Sequence, residues 1–384
     1  QAAMQTGRST SMEAAKTAEY VYGADINPKA LEYARKQSKK KKIKNIQFVK
    51  SNLFSYYNRT GKKFDLIIFN PPYLPKDERE PAESAVATTG GKEGYELIER
   101  FFSEVSDYME EGGKIIVVFS SLTGKEKIHS IMEEKGFNYQ KLADMKIPWE
   151  ELFVYIAEKS DVLIGLEKDN VKHIKKLAQG RRGVIFTGYL KGKKIAAKSK
   201  KQESAAVGRI ANEARWLKLL NRRGIGPKFL YMDEKYFVYE FAEGEFICDF
   251  LEHSKKEVTK KVLANVFRQC YIMDKMKASK EEMHNPFKHI IIDFCADFYD
   301  SDSSKKKKIS KKLKVFLIDF ERMHSTEKPQ NVTQFCQYVS SKKILALLKK
   351  KGFNFTKTRI NYLAKRYKKD MNQENLKKIL ETVS

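Results

Sequence analysis

Asn70-Pro71-Pro72-Tyr73 is the stretch of this chain best suited to do chemistry. It follows directly on an apolar run, Phe64-Asp65-Leu66-Ile67-Ile68-Phe69, that reads as a strand of the parallel type. An Asn side-chain oxygen and a carbonyl ahead of a proline can each accept one N–H of an amino or amide group. With both hydrogens held, the nitrogen faces an electrophilic carbon in line. Tyr73 can stack on the planar group that carries the nitrogen. The two prolines fix φ and remove backbone donors, so the turn is stiff. The chemistry this suits is alkylation of a planar nitrogen. As four letters alone it is also a rigid strand-to-loop turn, and its place after a strand favours the functional reading.

A second set of residues suggests phosphate chemistry. Gly180-Arg181-Arg182-Gly183-Val184-Ile185-Phe186-Thr187-Gly188 precedes Ile195-Ala196-Ala197-Lys198. A glycine turn between two strands, then a strand ending in Ala-Ala-Lys, is an order that covers ATP phosphates and pairs them with lysine. Gly183 is the glycine of interest, although the spacing is not G-x-G-x-x-G. Glu213 falls on a helix whose inward arc is Val207, Ile210, Ala214, Leu217 and Leu220. A carboxylate on an apolar face needs a partner, and Lys198 is the natural one. Phe237 to Phe241 reads as a strand and hinge for adenine, and Val258 to Met276 as a long helix. Leu317-Ile318-Asp319-Phe320-Glu321 is an apolar strand ending where a magnesium-binding Asp belongs.

The elements that must position these residues fall into two textures. From Tyr20 to Lys159 strands and helices alternate. The strand Tyr20–Ala24 ends in Asp25, and a helix over Ala30–Lys40 has Pro28 near its start. Strands follow at Ile46–Val49 and Asp65–Phe69, then a helix from Tyr95 to Met109 broken by Gly112-Gly113. A strand at Lys114–Phe119, a helix at Lys125–Lys135 closed by Gly136, and a hairpin of Tyr139–Ile147 with Leu152–Ala157 complete the pattern. Such alternation predicts a parallel sheet with covering helices. Ligands then sit at the carboxyl ends of the strands, where Asp25 would bond ribose hydroxyls and Asn52 would lie near an adenine or serve as a turn residue. Beyond a boundary near Ser160–Asp169, two short strands flank Gly188 and Gly192 and the chain turns largely helical. Asp300–Lys312 is low in complexity and reads as a mobile loop.

The 384 residues allow two or three domains. A net charge of +26 favours an acidic or polyanionic environment such as nucleic acid, ribosome or phosphate ligands. The basic runs at Lys39–Lys42, Lys191–Lys201 and Lys305–Lys314 read as solvated faces or loops. Cys248, Cys270, Cys295 and Cys336 form no CxxC pair and read as buried or free thiols in a reducing cytoplasm, not as a zinc site or disulfide frame. No stretch reaches the ~18 apolar residues of a membrane span, and no signal peptide is expected. The first residue is Gln, which suggests a missing or processed start.

Asn70-Pro71-Pro72-Tyr73-Leu74-Pro75, followed by Gly90-Gly91-Lys92-Glu93-Gly94-Tyr95-Glu96, resembles the HemK family of protein glutamine methyltransferases, and in particular its archaeal and eukaryotic release-factor branch. The resemblance spans about 140 residues of the first half. It implies a Rossmann-like class I methyltransferase domain over 1–160 and S-adenosylmethionine as methyl donor. The acceptor would be the glutamine amide of a Gly-Gly-Gln loop in a translation release factor, with a small activating subunit as a further partner. Asn70 would orient the amide and Tyr73 would pack on it. The start departs from the family. Where a Gly-x-Gly-x-Gly loop belongs, only Gly7 matches, and Gln5 and Ser9 stand in place of glycines. The apolar first strand is missing, so the sheet is expected to be incomplete at its N-terminus, with a gap at its centre.

His284-Asn285-Pro286-Phe287-Lys288-His289-Ile290-Ile291, Ile318-Asp319-Phe320-Glu321-Arg322 and Lys328 to Phe335 resemble an archaeal family of Ser/Thr protein kinases related to the Rio and Bud32 kinases. The resemblance implies an α+β protein-kinase-like ATP-binding domain over 170–345, followed by a basic helical tail at 346–384. It puts His284 at the position of the catalytic Asp and His289 at that of a metal-binding Asn, with Asp319 as the Mg2+ ligand. Histidine is a poor magnesium ligand, so ATP binding is more strongly implied than phosphoryl transfer. Two other readings remain: a DNA or RNA amino-methyltransferase, on the same Asn-Pro-Pro-Tyr and the charge, and a non-catalytic interaction protein with two degraded pockets.

Overall fold

In the first half of the chain, β-branched and aromatic runs alternate with amphipathic helices, and they fold into one twisted sheet. A computed structural model describes residues 2–5, 10–79, 81, 88–179, 183–200, 208–294 and 313–383. Gly7, Gly180–Arg182, Val207, Cys295 and the whole of 300–312 lie outside the described residues. The chain divides into one unit of residues 1–179 with 186–192, and a second of 180–185 with 193–384.

The first unit contains β1 (Ala2–Gln5), α1 (Thr10–Ala14), β2 (Val21–Asp25), α2 (Pro28–Lys40), β3 (Ile46–Lys50), β4 (Phe64–Phe69), β5 (Leu74–Pro75), β6 (Thr89–Gly91), α3 (Glu96–Glu104), β7 (Met109–Ser120), α4 (Lys125–Glu134), β8 (Phe137–Ile147), β9 (Glu150–Lys159), α5 (Asp161–Lys168) and β10 (Lys172–Gln179). Its main sheet has the order β3-β2-β1-β4-β7-β9-β8. The first five strands in this order pair in parallel, and β9 joins antiparallel to β7 and β8. Ile67, Phe69, Ile115, Val117 and Phe119 are buried, and the Phe101 ring of α3 stacks on Phe69 with centroids 3.9 Å apart. Asn27 caps α2, its side chain accepting the Lys29 N–H at 2.9 Å, and Pro28 opens the helix without losing a bond.

Two expectations are corrected here. The gap at the centre of the sheet is filled, because β1 pairs in parallel with β2 on one side and β4 on the other, Ala2 facing Val21 and Leu66. Ala-Ala-Met-Gln is a weak strand by side chain, but ladders on both edges hold its backbone. Gly112-Gly113 does not break a helix. The helix stops at Glu104, a 3₁₀ turn spans Val105–Tyr108, and β7 already begins at Met109. The glycines lie inside β7, where its register against β4 slips between Phe64 and Leu66, as at a bulge.

The second unit continues with β11 (Gly183–Leu190), whose residues fall in both units, β12 (Lys193–Lys200), α6 (Arg209–Asn221), β13 (Phe229–Met232), β14 (Tyr236–Glu240), β15 (Glu245–Phe246), α7 (Ile247–His253), α8 (Lys256–Lys275), β16 (Ala278–Ser279), β17 (Ile290–Phe294), β18 (Leu313–Leu317), β19 (His324–Ser325), α9 (Asn331–Val339), α10 (Lys342–Lys350), α11 (Lys357–Lys369) and α12 (Gln373–Thr382). Gly188 lies inside β11, not between strands, and Lys191-Gly192 makes the turn into β12. β12, β14 and β13 form an antiparallel ladder, and β15, β17 and β18 a small second sheet. The basic stretch after residue 346 does not stand apart as a tail. Phe353, Phe355, Ile360, Leu363, Tyr367, Leu376 and Ile379 join the same core as α6, α8 and α9. Cys248, Cys270 and Cys336 are buried free thiols. Among the described residues no helix is long and apolar enough to cross a membrane.

Candidate functional site

The Asn-Pro-Pro-Tyr turn leaves the carboxyl end of β4, next to β1, where the strand order of the sheet reverses direction. Ligands of open parallel sheets collect at this end. Asn70 and Tyr73 are half-buried and Pro71 is buried. Immediately afterwards, β5 pairs in parallel with β6, Leu74 facing Thr89 and Pro75 facing Gly91, and the Lys76 N–H donates to the Gly91 carbonyl at 3.1 Å. The turn and the glycine-rich segment, well separated in sequence, are thereby one object. Glycine is required for that approach. A Cβ on Gly90 would stand 2.6 Å from the Pro72 carbonyl oxygen, and one on Gly94 (φ +89°) 2.6 Å from that of Tyr73. Glu96, at the start of α3, accepts the Glu93 N–H at 2.9 Å, which closes the loop.

Thr123 supports the turn from the other side, its hydroxyl donating to the Tyr73 carbonyl at 2.9 Å. Burial, with the Glu150 carboxylate nearby, pushes the Tyr73 phenol above its ordinary pKa, so the ring stays neutral. The sequence reading did not pick out Thr123, and it quoted Glu96 only as the end of the glycine-rich motif. Asp25 stands at the end of β2 and accepts the Asn27 N–H at 2.8 Å on one oxygen. Asn52 is exposed in the turn after β3. Its backbone N–H donates to Ser55 Oγ at 3.0 Å, and its side-chain oxygen accepts from Arg100. The first is the bond of a turn residue, and the second reaches across to α3.

In the second unit the structure gathers charged side chains. Lys198 of β12 reaches Glu213 of α6 at 2.6 Å and Asp319 at 3.1 Å. Burial works against the Lys198 ammonium, but the Glu213 and Asp319 carboxylates outweigh it and hold its pKa above that of an ordinary lysine. Burial would also raise Asp319. Lys198 and Lys280 outweigh it there and hold the carboxyl below the usual range. Asp319 follows β18 with φ +62°, unusual for a non-glycine residue. The Phe320 N–H donating to Glu213 Oε1 at 3.2 Å and the Lys280 ammonium donating to the Asp319 carbonyl at 2.6 Å hold it there. Gly183 opens β11 beside Ser199 of β12.

His289 sits just before β17, its Nε2 3.3 Å from Glu282 and its Nδ1 3.2 Å from Lys280 Nζ. Burial, then Lys280, lowers its pKa, so the ring is neutral. His284 is exposed on a cleft of about 720 Å³ lined also by Glu282, His289 and Arg322. Asp319 opens on an adjoining recess of about 90 Å³ that shares Glu282, His289 and Arg322. Among the described residues no three His, Cys, Asp or Glu side chains cluster as a metal cage. A single carboxylate with 42 % of its surface open, as Asp319 has, still suits a partly hydrated magnesium ion. Lys280 went unnoticed in the sequence because nothing sets it apart among 75 basic residues.

The fold and the turn at the end of β4 define a class I methyltransferase domain in the first unit. The family described as Methyltransferase domain matches residues 6–179. A protein of Methanocaldococcus jannaschii named as a protein N5-glutamine methyltransferase is 42% identical over 146 residues, which cover 38% of this chain and 72% of that one. The release factor glutamine methyltransferase of Aquifex aeolicus is 30% identical over 131 residues, 32% of this chain and 46% of its own length. This chain belongs to the protein N5-glutamine methyltransferase, or HemK, family. It spans less than half the length of the Aquifex relative. Among solved structures, the Mtq2–Trm112 complex from E. cuniculi, titled as responsible for methylation of the eRF1 termination factor, aligns with a TM-score of 0.32. That alignment has 23% identity and covers 41% of this chain and 85% of that one, a likeness of fold alone.

Proposed function

We propose that the first unit methylates the side-chain amide nitrogen of a protein glutamine, with the Gly-Gly-Gln loop of a translation release factor as substrate. The observation that carries this reading is the β5–β6 pairing, which locks Asn70-Pro71-Pro72-Tyr73 against the Gly90–Gly94 loop at the carboxyl end of β4. S-adenosylmethionine supplies the electrophilic methyl group; Asp25, at the end of β2, is placed for its ribose, and Gly7 and Asn52 are assigned to the same pocket. The Asn70 side-chain oxygen and the Pro71 carbonyl accept the two amide hydrogens, and Tyr73 packs on the amide plane. The C–S bond of the donor breaks as the N–C bond forms. The nitrogen's proton leaves to water afterwards, so no general base is needed. A small activating subunit completes the set of protein partners in this reading. The test is incubation of the chain with labelled S-adenosylmethionine and a release factor, with mass spectrometry of the Gly-Gly-Gln peptide. Label on the glutamine is expected. Label on DNA or RNA instead would favour the amino-methyltransferase alternative.

A second reading, for the second unit, is supported by the Lys198–Glu213–Asp319 constellation. We infer an ATP-binding, protein-kinase-like domain in which Lys198 meets the phosphates, Glu213 fixes Lys198, Asp319 holds Mg2+ and Gly183 belongs to the phosphate loop. Asp319→Ala should abolish magnesium-dependent ATP binding measured by calorimetry. Unchanged affinity would remove the residue on which this reading most depends.

A further inference from the structure

Lys280 is the residue that neither reading uses, and with 2 % of its surface exposed it is the most buried charged residue among the described residues of the second unit. Burying an ammonium is costly unless an anion meets it. Its hydrogen-bond partners are both neutral: the Asp319 carbonyl at 2.6 Å and His289 Nδ1 at 3.2 Å. The Asp319 carboxylate nearby is already engaged by Lys198.

The fold holds this charge in place deliberately. The Lys280 N–H donates to Asn331 Oδ1 at 2.8 Å, and the Met283 N–H to Gln334 Oε1 at 3.0 Å. Asn331 is itself fully buried and fixed by Asp274, which accepts its Nδ2 at 2.7 Å and its backbone N–H at 2.9 Å. The ammonium lines the recess between His289, Asp319 and Arg322.

Its effect on His289 follows from donor counting. An ammonium has three donors and no acceptor, so His289 Nδ1 must be the acceptor and its proton sits on Nε2, facing Glu282. The Nδ1 lone pair is spent on Lys280 and is not offered to a metal ion. Position 289 was assigned to cofactor binding as a stand-in for a metal-binding Asn; in the structure its ligand atom binds an ammonium.

We propose that the Lys280 ammonium is a resident cation of the phosphate site, standing where a second divalent ion would otherwise sit between Asp319 and residue 289, so that nucleotide binds with one divalent ion. This rests on the ATP-binding reading of the second unit. Two of the three Lys280 donors are used within the described residues, which leaves the third for a phosphate oxygen. A fixed charge in the cavity wall replaces an ion that would otherwise have to be recruited from solution.

The test is to titrate the whole wild-type chain with Mn2+ in the presence of saturating AMP-PNP, counting bound ions by electron paramagnetic resonance, and to measure AMP-PNP affinity by calorimetry. One Mn2+ per bound nucleotide is expected; two would overturn the proposal. Lys280→Met should weaken nucleotide binding about tenfold or more, the loss of one hydrogen bond to a charged group, and Lys280→Arg should recover part of it. Undiminished binding by Lys280→Met would also overturn it. Should that variant fail to fold, the ion count on the wild-type chain decides alone. Absence of nucleotide binding by the wild-type chain, with or without Mn2+, brings down the ATP reading and this proposal together. Binding with two ions, or binding indifferent to Lys280, brings down only the proposal.

Discussion

The two units place their candidate sites on opposite kinds of chemistry. In the first, the groups around Asn70 are carbonyls, an amide and a phenol, positioned by prolines, by glycines and by a two-strand ladder. In the second, the site is a run of charged groups, Glu213, Lys198, Asp319 and Lys280, continued through the neutral His289 to Glu282 and Arg322. The difference is that between their proposed ligands. A glutamine amide is neutral and planar, and is selected by where two acceptors point; a triphosphate is selected by field. Backbone-built sites tolerate no change of shape, whereas charge-built sites tolerate no unpaired partner.

That contrast can be broken at its strongest point first. Asn70→Ala should lower methyl transfer by on the order of a hundredfold or more while calorimetry shows donor binding intact, because only the acceptor geometry is lost. Unaltered turnover would mean that the first site is not built around Asn70. Lys198→Met should act on stability as well as on ligand. It leaves Glu213 buried without its cation, at about 3 kcal/mol, read by denaturant unfolding followed on the second unit. Adding Glu213→Gln to that variant should return much of the loss. Gly94→Ala probes shape: left-handed backbone and a collision with the Tyr73 carbonyl cost about 2 kcal/mol, with methyl transfer falling before the fold does. The smallest effect is one of pH. His289 has a folded pKa below its ordinary 6.5, so the unfolded chain binds more protons there. The stability this contributes is complete above pH 6.5 and is lost as pH falls through the lower, folded value. His289→Asn should flatten that slope in a pH series of unfolding curves.

Much of the first sheet was legible because its strands are short apolar runs with clear punctuation, such as Pro28 opening α2 and Gly136 after α4. β1 was not, because Ala-Ala-Met-Gln carries little hydrophobic signal and is held by neighbours on both edges, which no local pattern reports. Met109 is buried and fits either a helical or a strand period, so the helix was read through to it. Asn70 and the Gly90–Gly94 segment were each visible, but their pairing was not, since it depends on a long-range ladder. The Lys198–Glu213 contact could be foreseen from a carboxylate on an apolar arc. Lys280 could not, because its burial is decided by Asn331 and Asp274, distant in sequence.

The buried line that ends at Lys280 begins further down the chain than its site suggests. The Tyr367 hydroxyl of α11 donates to Asp274 at 3.0 Å, Asp274 holds Asn331, and Asn331 holds the Lys280 backbone. Trimming this protein at residue 345 to test the proposed ATP binding on a shorter fragment would therefore remove the far anchor of the pocket along with a face of its core. Residues 346–384 are to that pocket what a keystone is to an arch, and a fragment of the second unit that keeps its fold is expected to include them.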